Sequence, residues 1–247
     1  MTAMRKLMLT VQYDGSDYAG FQIQPNAKTI QGELQQALVA VLGHPVTIRG
    51  ASRTDAGVHA LGQVVTFESP SPIPVSNLAR AVDERLPVAV GVVEAREVEL
   101  EFDARYDARR KLYCYQILNR RTSSPFIGRY AWHIAEPLDV RAMGQAARTL
   151  LGRHDFSAFC AAGGSVTDMV RLIDRLEVSQ DDEMVRVYVQ ADGFLYKMVR
   201  IIAGTLVEVG RGRWKPLAVA EILASRDRAR AGPTAPGCGL WLVKVSY

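Results

Sequence analysis

One segment of the chain places an aspartate and an arginine where both could act on a substrate. The stretch Gly50–Gly62 (GASRTDAGVHALG) lacks a helical period, lies between two predicted strands, and holds Arg53 and Asp55 two residues apart. Loops between strands often carry catalytic residues, and a carboxylate can act as a nucleophile or stabilise developing positive charge. From residue types alone, however, the simpler interpretation is a surface turn in which Asp55 bonds to its own backbone and Arg53 is solvated.

A second candidate is Arg200, on a predicted helix over 195–209. The helical period places Arg200 on one face with Tyr196, Ala203 and Gly204. Since a glycine inside a helix costs about 1 kcal/mol relative to alanine, Gly204 indicates a close backbone approach. The opposite, core-facing side of the helix is predicted to carry Met198, Ile202, Leu206 and Val209. From residue types alone, the preferred interpretation of Arg200 is a surface charge paired with an acidic residue, which contributes little stability.

Tyr113 and Tyr115 lie on the same face of a predicted strand over 112–118, because successive side chains of a strand alternate between faces. An aromatic ring on such a strand could stack against a planar ligand group. A tyrosine packed in the core of the strand is the alternative, and it is the preferred interpretation of Tyr115.

Basic residues are concentrated in two stretches, although the formal net charge is only +4. Each stretch holds a single acidic residue and flanks candidate site residues. The first comprises Arg105, Arg109, Arg110, Lys111, Arg120 and Arg121, and the second Lys197, Arg200, Arg211, Arg213 and Lys215. Such clusters could follow a phosphate backbone, but they could equally be solvated faces.

The composition argues against a disulfide framework, a zinc site or a membrane protein. The three cysteines are far apart without a CxxC pair, and the four histidines form no ligand pair with them. Reduced thiols fit a cytoplasmic protein, and no uncharged apolar run approaches 18 residues. We therefore expect no metal and no membrane span.

The elements that must position these residues alternate in a regular order. In the first half, Thr29 is predicted to cap a helix that Gly43 ends. Together with the strands and a second helix, the order is β-α-β-β-α-β. The strands are expected at 7–13, 46–49, 62–67 and 90–98, and the second helix at 75–86.

The second half predicts the same order with one added helix. Its strands are expected at 112–118, 171–179, 184–190 and 240–245, and its helices at 138–151, 195–209 and 216–224. Each half therefore resembles a ferredoxin-like βαββαβ unit. We predict an α+β protein with antiparallel sheets around a long central cleft, divided into an N-terminal half, 1–105, that carries the Asp55 segment and a C-terminal half, 106–247.

Several motifs together resemble the TruA family of tRNA pseudouridine synthases. Residues 52–60 (SRTDAGVHA) are similar to the family signature GRTDxGVHA and differ from it only at Ser52. Matching segments extend over nearly the whole chain: YDGSDYAGFQ (13–22), HALGQVVTF (59–67), FDARYDA (102–108), GRHDF (152–156) and FLYKMVRIIAG (194–204). A glycine at position 52 would permit a positive φ, which serine tolerates poorly.

This resemblance implies a pseudouridine synthase fold and isomerisation of uridine to pseudouridine at tRNA positions 38, 39 and 40, in the anticodon stem-loop, without cofactor or metal. It implies that Asp55 is the nucleophile, that Arg200 forms an ion pair with it, and that Tyr113 stacks on the base and takes part in proton transfer. Arg53 would fill the space that the base vacates. Arg109 and Arg110 are expected to bind the substrate, and the protein is expected to be a homodimer that contacts tRNA with both chains.

Two other functions remain open at this point. A non-catalytic RNA-binding protein with RRM-like halves would use the same fold, although no RNP1-like stretch occurs. A carboxylate-based glycosidase or nucleosidase would need a second carboxylic acid. None lies near Asp55 in sequence, but Glu208 could supply it through the fold.

Overall fold

The computed structural model describes residues 4–164 and 166–247. They form two compact units, and the chain passes from the first to the second between Arg109 and Arg110. The first unit comprises the described part of Met1–Arg109 together with Leu242–Tyr247, and the second comprises Arg110–Trp241. The division into ferredoxin-like halves at 105/106 stays a prediction.

The first unit contains the predicted series of strands and helices. Its elements are β1 (Arg5–Tyr13), α1 (Ile30–Leu42), β2 (Arg49–Gly50), β3 (His59–Ser69), α2 (Val75–Asp83) and β4 (Val90–Val98). The strand expected at 46–49 is mostly wrong, because only Arg49 and Gly50 pair with β3. Val46 and Ile48 are buried without pairing, so alternating burial produced the strand-like pattern there.

In the first unit β1 is the central strand, and it pairs antiparallel with β3 on one side and with β4 on the other. Leu7 and Leu9 of β1 are fully buried, as expected for the middle of a sheet. Helix α1 has the predicted ends: the Thr29 hydroxyl accepts a hydrogen bond from the Gly32 N–H, and Gly43 ends the helix at φ +75°.

The second unit is also built on an antiparallel sheet. Its elements are β5 (Arg110–Asn119), β6 (Trp132–Ile134), α3 (Val140–Arg148), β7 (Gly152–Asp155), β8 (Val170–Asp181), β9 (Met184–Ala191), α4 (Met198–Gly210) and α5 (Ala218–Ser225). The last strand, β10 (Leu240–Ser246), begins in this unit and continues into the first. The strand order is β5-β9-β8-β7, and β6 pairs parallel with β5. The α+β fold class is confirmed.

Two short strands of the second unit, β6 and β7, were not predicted, because three or four residues are too few to show a period. Helix α3 is shorter than the expected 138–151, since the Asp139 carboxylate caps its first turn and β7 begins at Gly152. The predicted β8–β9 hairpin is confirmed, with Asp181 opposite Met184 and Asp182 at φ +50° in the turn.

Helix α4 differs from the amphipathic helix that the sequence predicts. It begins at Met198, so Tyr196 lies outside it and cannot share its face with Arg200. Every residue of α4 except Arg200 is buried, including the polar Thr205 and Glu208, so the helix lies in the interior of the unit and not along its surface. The close approach at Gly204 is confirmed: a Cβ there would lie 1.9 Å from the Pro233 carbonyl oxygen.

Two helical glycines should therefore respond in opposite ways to alanine. Gly204→Ala forces the Pro233 backbone to move, and we expect it to lower the free energy of unfolding by about 1–3 kcal/mol or more. Gly144, in α3, has no atom within 4 Å of a built Cβ. Gly144→Ala should raise stability by about 0.5–1 kcal/mol, because alanine is the better helix former. Denaturant unfolding of both variants measures the effects, and equal effects would contradict the packing at Gly204.

Candidate active site

The Asp55 loop (residues 51–58) connects β2 to β3 in the first unit. Asp55 is partly exposed and Arg53 is exposed, whereas Thr54 between them is buried. The Thr54 carbonyl accepts a hydrogen bond from the Phe21 N–H at 3.0 Å. The Thr54 and Tyr13 hydroxyl oxygens lie 2.8 Å apart. The buried Thr54 therefore fixes the loop while its two charged neighbours reach the surface.

The side chain of Gln63, on β3, holds the start of the same loop. Gln63 is fully buried. Its amide nitrogen donates to the Ser52 carbonyl at 2.7 Å, and its amide oxygen accepts from the Ser52 N–H at 3.2 Å. The amide thus pairs with both backbone groups of Ser52 as a neighbouring strand would, which keeps the loop ordered without a regular ladder.

Ser52, where the signature has glycine, does not force a strained backbone. The non-glycine residues with positive φ in the described chain are Asn26, Asp182, Lys197 and Arg226. Because Ser52 is not among them, the position needs no left-handed conformation, and serine fits without the penalty that would apply there. The backbone of the loop at position 52 can therefore be adopted by residues other than glycine.

Two glycines of the opening segment (residues 14–21) pack directly against the Asp55 loop. A Cβ at Gly15 would lie 2.0 Å from the Val58 carbonyl oxygen. A Cβ at Gly20 would lie 2.8 Å from the Thr54 carbonyl oxygen, and Gly20 also has φ +105°. Backbone meets backbone at both points, so the glycines of the YDGSDYAGFQ motif are explained by contact with the loop.

His59 links the loop to the opening segment rather than facing a substrate. It is fully buried, and the Gly15 N–H donates to its Nδ1 at 3.1 Å. Asp14 Oδ1 lies 3.2 Å from the same nitrogen, but it accepts hydrogen bonds from the Ser16 N–H and hydroxyl. A fully buried ring held by the opening segment favours a structural role for His59.

In the second unit, Tyr113 and Tyr115 share a face of β5 but have different surroundings. The Tyr113 ring packs edge-on against Phe194, with centroids 5.1 Å apart. Tyr115 is fully buried and donates its hydroxyl to the Pro236 carbonyl at 2.8 Å. Burial raises the pKa of Tyr115 well above its usual value. Tyr115 is therefore a core tyrosine, as predicted.

Arg200 is anchored to the segment that follows α5. Its Nε donates to the Ala235 carbonyl at 2.7 Å, and the Ala235 N–H donates to the Arg200 carbonyl at 3.1 Å. The first bond holds the Nε of the side chain, and the second holds the backbone of Arg200 to the same segment. Lys197, directly before α4, has a left-handed backbone at φ +59°, a costly conformation that persists where the surroundings enforce it.

The remaining predicted residues lie in different surroundings. Arg109 is exposed at the end of the first unit, where its N–H donates to the Ser246 carbonyl. Arg110 opens β5 and forms an ion pair with Asp174. Glu208 binds Arg211 and Arg213 at about 3 Å, which favours a structural ion pair over a general acid.

The residues that hold the loop, Tyr13, Thr54 and Gln63, were not singled out from the sequence. Their signal lay in the motifs themselves, since each falls inside a segment that resembles the family. Among residues 4–164 and 166–247 there is no group of three or more histidines, cysteines or carboxylates suited to a metal ion. No helix in that part of the chain is long and apolar enough to span a membrane.

A family model described as tRNA pseudouridine synthase matches residues 9–107 and 146–247, and both the Asp55 loop and α4 fall inside the match. The chain belongs to this family, so it is an isomerase that converts uridine in tRNA to pseudouridine.

Its relatives include proteins named tRNA pseudouridine synthase A, and the similarity extends over nearly their whole length. The Moorella thermoacetica protein is 50% identical over 98% of this chain and 99% of its own. The protein from Thermoanaerobacter sp. (strain X514) is 48% identical, and that from Brevibacillus brevis 46%, each over 99% of this chain and 100% of its own.

The glycine contact behind the Asp55 loop should matter for catalysis. We expect Gly20→Ala to lower kcat for pseudouridine formation at least about tenfold, because an ångström-scale displacement of catalytic groups is costly. Gly43→Ala is the matched control, since it also strains a positive φ but meets no atom within 4 Å. It should cost about 1 kcal/mol of stability and leave kcat unchanged. Equal kcat values for the two variants would contradict the role of Gly20.

Proposed function

We propose that this chain forms pseudouridine in the anticodon stem-loop of tRNA, at positions 38, 39 and 40, with Asp55 as the nucleophile and without a cofactor or metal. The single observation that carries the assignment of Asp55 is its place in a loop whose neighbours are fixed by Thr54, Gln63 and the opening segment. A carboxylate presented by a fixed loop is positioned before substrate arrives.

The reaction balances within the nucleotide. C1′ leaves N1 and bonds to C5, the hydrogen at C5 departs as a proton, and N1 gains a proton. No electrons are exchanged with a partner, so the residues need only assist bond cleavage, base rotation and proton movement. Asp55 could attack C1′, add to C6, or remove the C2′ proton to give a glycal and return that proton when C5 bonds to C1′. All three use the ionised carboxylate.

We propose that Arg200 forms an ion pair with Asp55 and that Tyr113 stacks on the target base. Arg200 is the one residue of α4 that is not buried, and its guanidinium is directed by the Ala235 carbonyl. Tyr113 is buried with its ring edge-on to Phe194, so stacking on a base requires that RNA gain access to this ring. Both assignments rest on the motif matches as well as on these surroundings.

Arg53 is assigned to the gap that the flipped base leaves. It is exposed, and a guanidinium can stack on bases and bind phosphate. Arg109 and Arg110 are assigned to the tRNA backbone. For Arg110 this role requires that RNA compete with Asp174, its present ion-pair partner. We further propose that the protein works as a homodimer in the cytoplasm, where tRNA is modified.

The nucleophile is tested with tRNA tritiated at uridine C5. The protein should release tritium without free uracil, and Asp55→Asn should reduce release to background while tRNA binding changes less than about threefold. Asp182→Asn is the matched control, because Asp182 lies in the β8–β9 turn with φ +50°, which asparagine also tolerates.

Each other outcome has a definite meaning. Tritium release that persists in Asp55→Asn would overturn the assignment of Asp55. Free uracil would indicate a hydrolase, and tRNA binding without release by the unaltered protein would indicate a passive RNA-binding module.

The two tyrosines of β5 give a second test. Tyr113→Phe keeps the ring but loses the hydroxyl, so kcat should fall about 10- to 100-fold if the hydroxyl takes part in proton transfer. Tyr115→Phe should cost about 1 kcal/mol of stability, because the Pro236 carbonyl loses its donor, and it should leave kcat within about twofold. The reverse pattern would assign the base to Tyr115.

A further inference from the structure

We propose that a pocket beside the Asp55 loop, within the first unit, binds a nucleotide that flanks the target uridine. The pocket has a volume of about 260 Å³ and includes Arg53 in its wall. That volume lies just below the range of small-molecule sites, which is suitable for one nucleotide but not for a duplex. The proposal rests on the proposed function, because it takes RNA as the substrate.

The floor of the pocket is rigid. Phe21 is buried and packs against Gly50, where a Cβ would lie 2.5 Å from the ring. The amide of Gln31 is fixed at both ends, since its oxygen accepts from the Ile23 N–H and its nitrogen donates to the Ile48 carbonyl. A ligand would therefore meet a formed surface rather than side chains that must first rearrange.

The rim of the pocket is positively charged. Three arginines and one aspartate line it: Arg49, Arg53, Arg105 and Asp103. Arg49 is paired with Asp103 at 3.1 Å. In the part of the chain that the structure describes, Arg53 and Arg105 have no ion pair with a carboxylate. Two guanidinium groups are thus available at one small pocket, which fits an anionic ligand such as a phosphate.

A tight turn presents an aromatic ring at the same rim. Asp103 Oδ1 accepts hydrogen bonds from the N–H groups of Arg105 and Tyr106 at 2.8 and 3.0 Å. Burial raises the pKa of Asp103, but these bonds and Arg49 outweigh it and keep the pKa below its usual value, so the carboxylate is ionised and holds the turn.

Tyr106 is 77% exposed, with the Arg105 guanidinium 5.5 Å from its ring centre. The ring lies in the lining of a pocket that also holds three arginines, and base stacking on an aromatic ring is worth about 1–3 kcal/mol. A phosphate at Arg105, with Arg53 beside it, and a base on Tyr106 would account for both the charge and the ring.

The position of Arg53 determines which nucleotide would bind. Arg53 is two residues from Asp55, so their Cα atoms are at most about 7 Å apart. A uridine at Asp55 therefore has its chain neighbour within reach of the pocket. Enzymes that flip a base commonly contact the flanking nucleotides as well.

The test measures the Kd of tRNA in an Asp55→Asn background, so that no turnover is needed. Tyr106→Ala should weaken binding roughly 5- to 150-fold, while Tyr106→Phe, which keeps the ring, should bind like the parent. Arg105→Ala should make the slope of log K against log salt shallower by about 0.7, the value for one single-strand phosphate. Arg80→Ala, an exposed arginine of α2, should leave Kd and slope unchanged.

The outcomes separate this proposal from the function itself. If Tyr106→Ala binds like the parent while Arg105→Ala changes the slope, the pocket holds a phosphate but no base, and the proposal is overturned. If neither variant has an effect, the pocket binds no RNA. Absence of tritium release by the unaltered protein would instead overturn the proposed function, whatever the two Kd values are.

Discussion

The arrangement of the first unit depends on backbone approaching backbone behind the Asp55 loop. Gly15 and Gly20 allow the opening segment to lie against Val58 and Thr54 at distances that no side chain would permit. The strands on either side of this contact then need only ordinary packing: β1 carries the opening segment, and β3 follows the loop. A methyl group in place of a glycine hydrogen at either position would force the loop or the opening segment to move.

The second unit achieves rigidity differently. Every residue of helix α4 except Arg200 is buried. The methylene groups of a long charged side chain on such a helix have few conformations available to them. The Ala235 carbonyl also holds the Nε of Arg200. The hydrogen bond to the Ala235 carbonyl thus helps to set the direction of the guanidinium group.

The sequence predicts the fold best where local signals decide it. Thr29 and Gly43 mark the ends of α1 correctly because capping is a local interaction, and β4 matches its predicted bounds. The prediction of a strand at 46–49 was wrong because Val46 and Ile48 are both buried, which gives the alternating pattern of a strand without strand pairing. The Asp55 loop could be recognised by its motif, but its attachment to Gln63 could not, since that contact arises only when β3 folds against the loop.

Gln63, the Tyr13 hydroxyl and the Phe21 N–H form hydrogen bonds with backbone and hydroxyl groups of the Asp55 loop. The loop therefore loses its conformational entropy when the chain folds, and not when RNA arrives. An incoming tRNA meets a loop that is already ordered, so the free energy of its contacts can be used to unstack and turn the uridine. Order in this loop is a property of the protein alone, and it is set before any encounter with substrate.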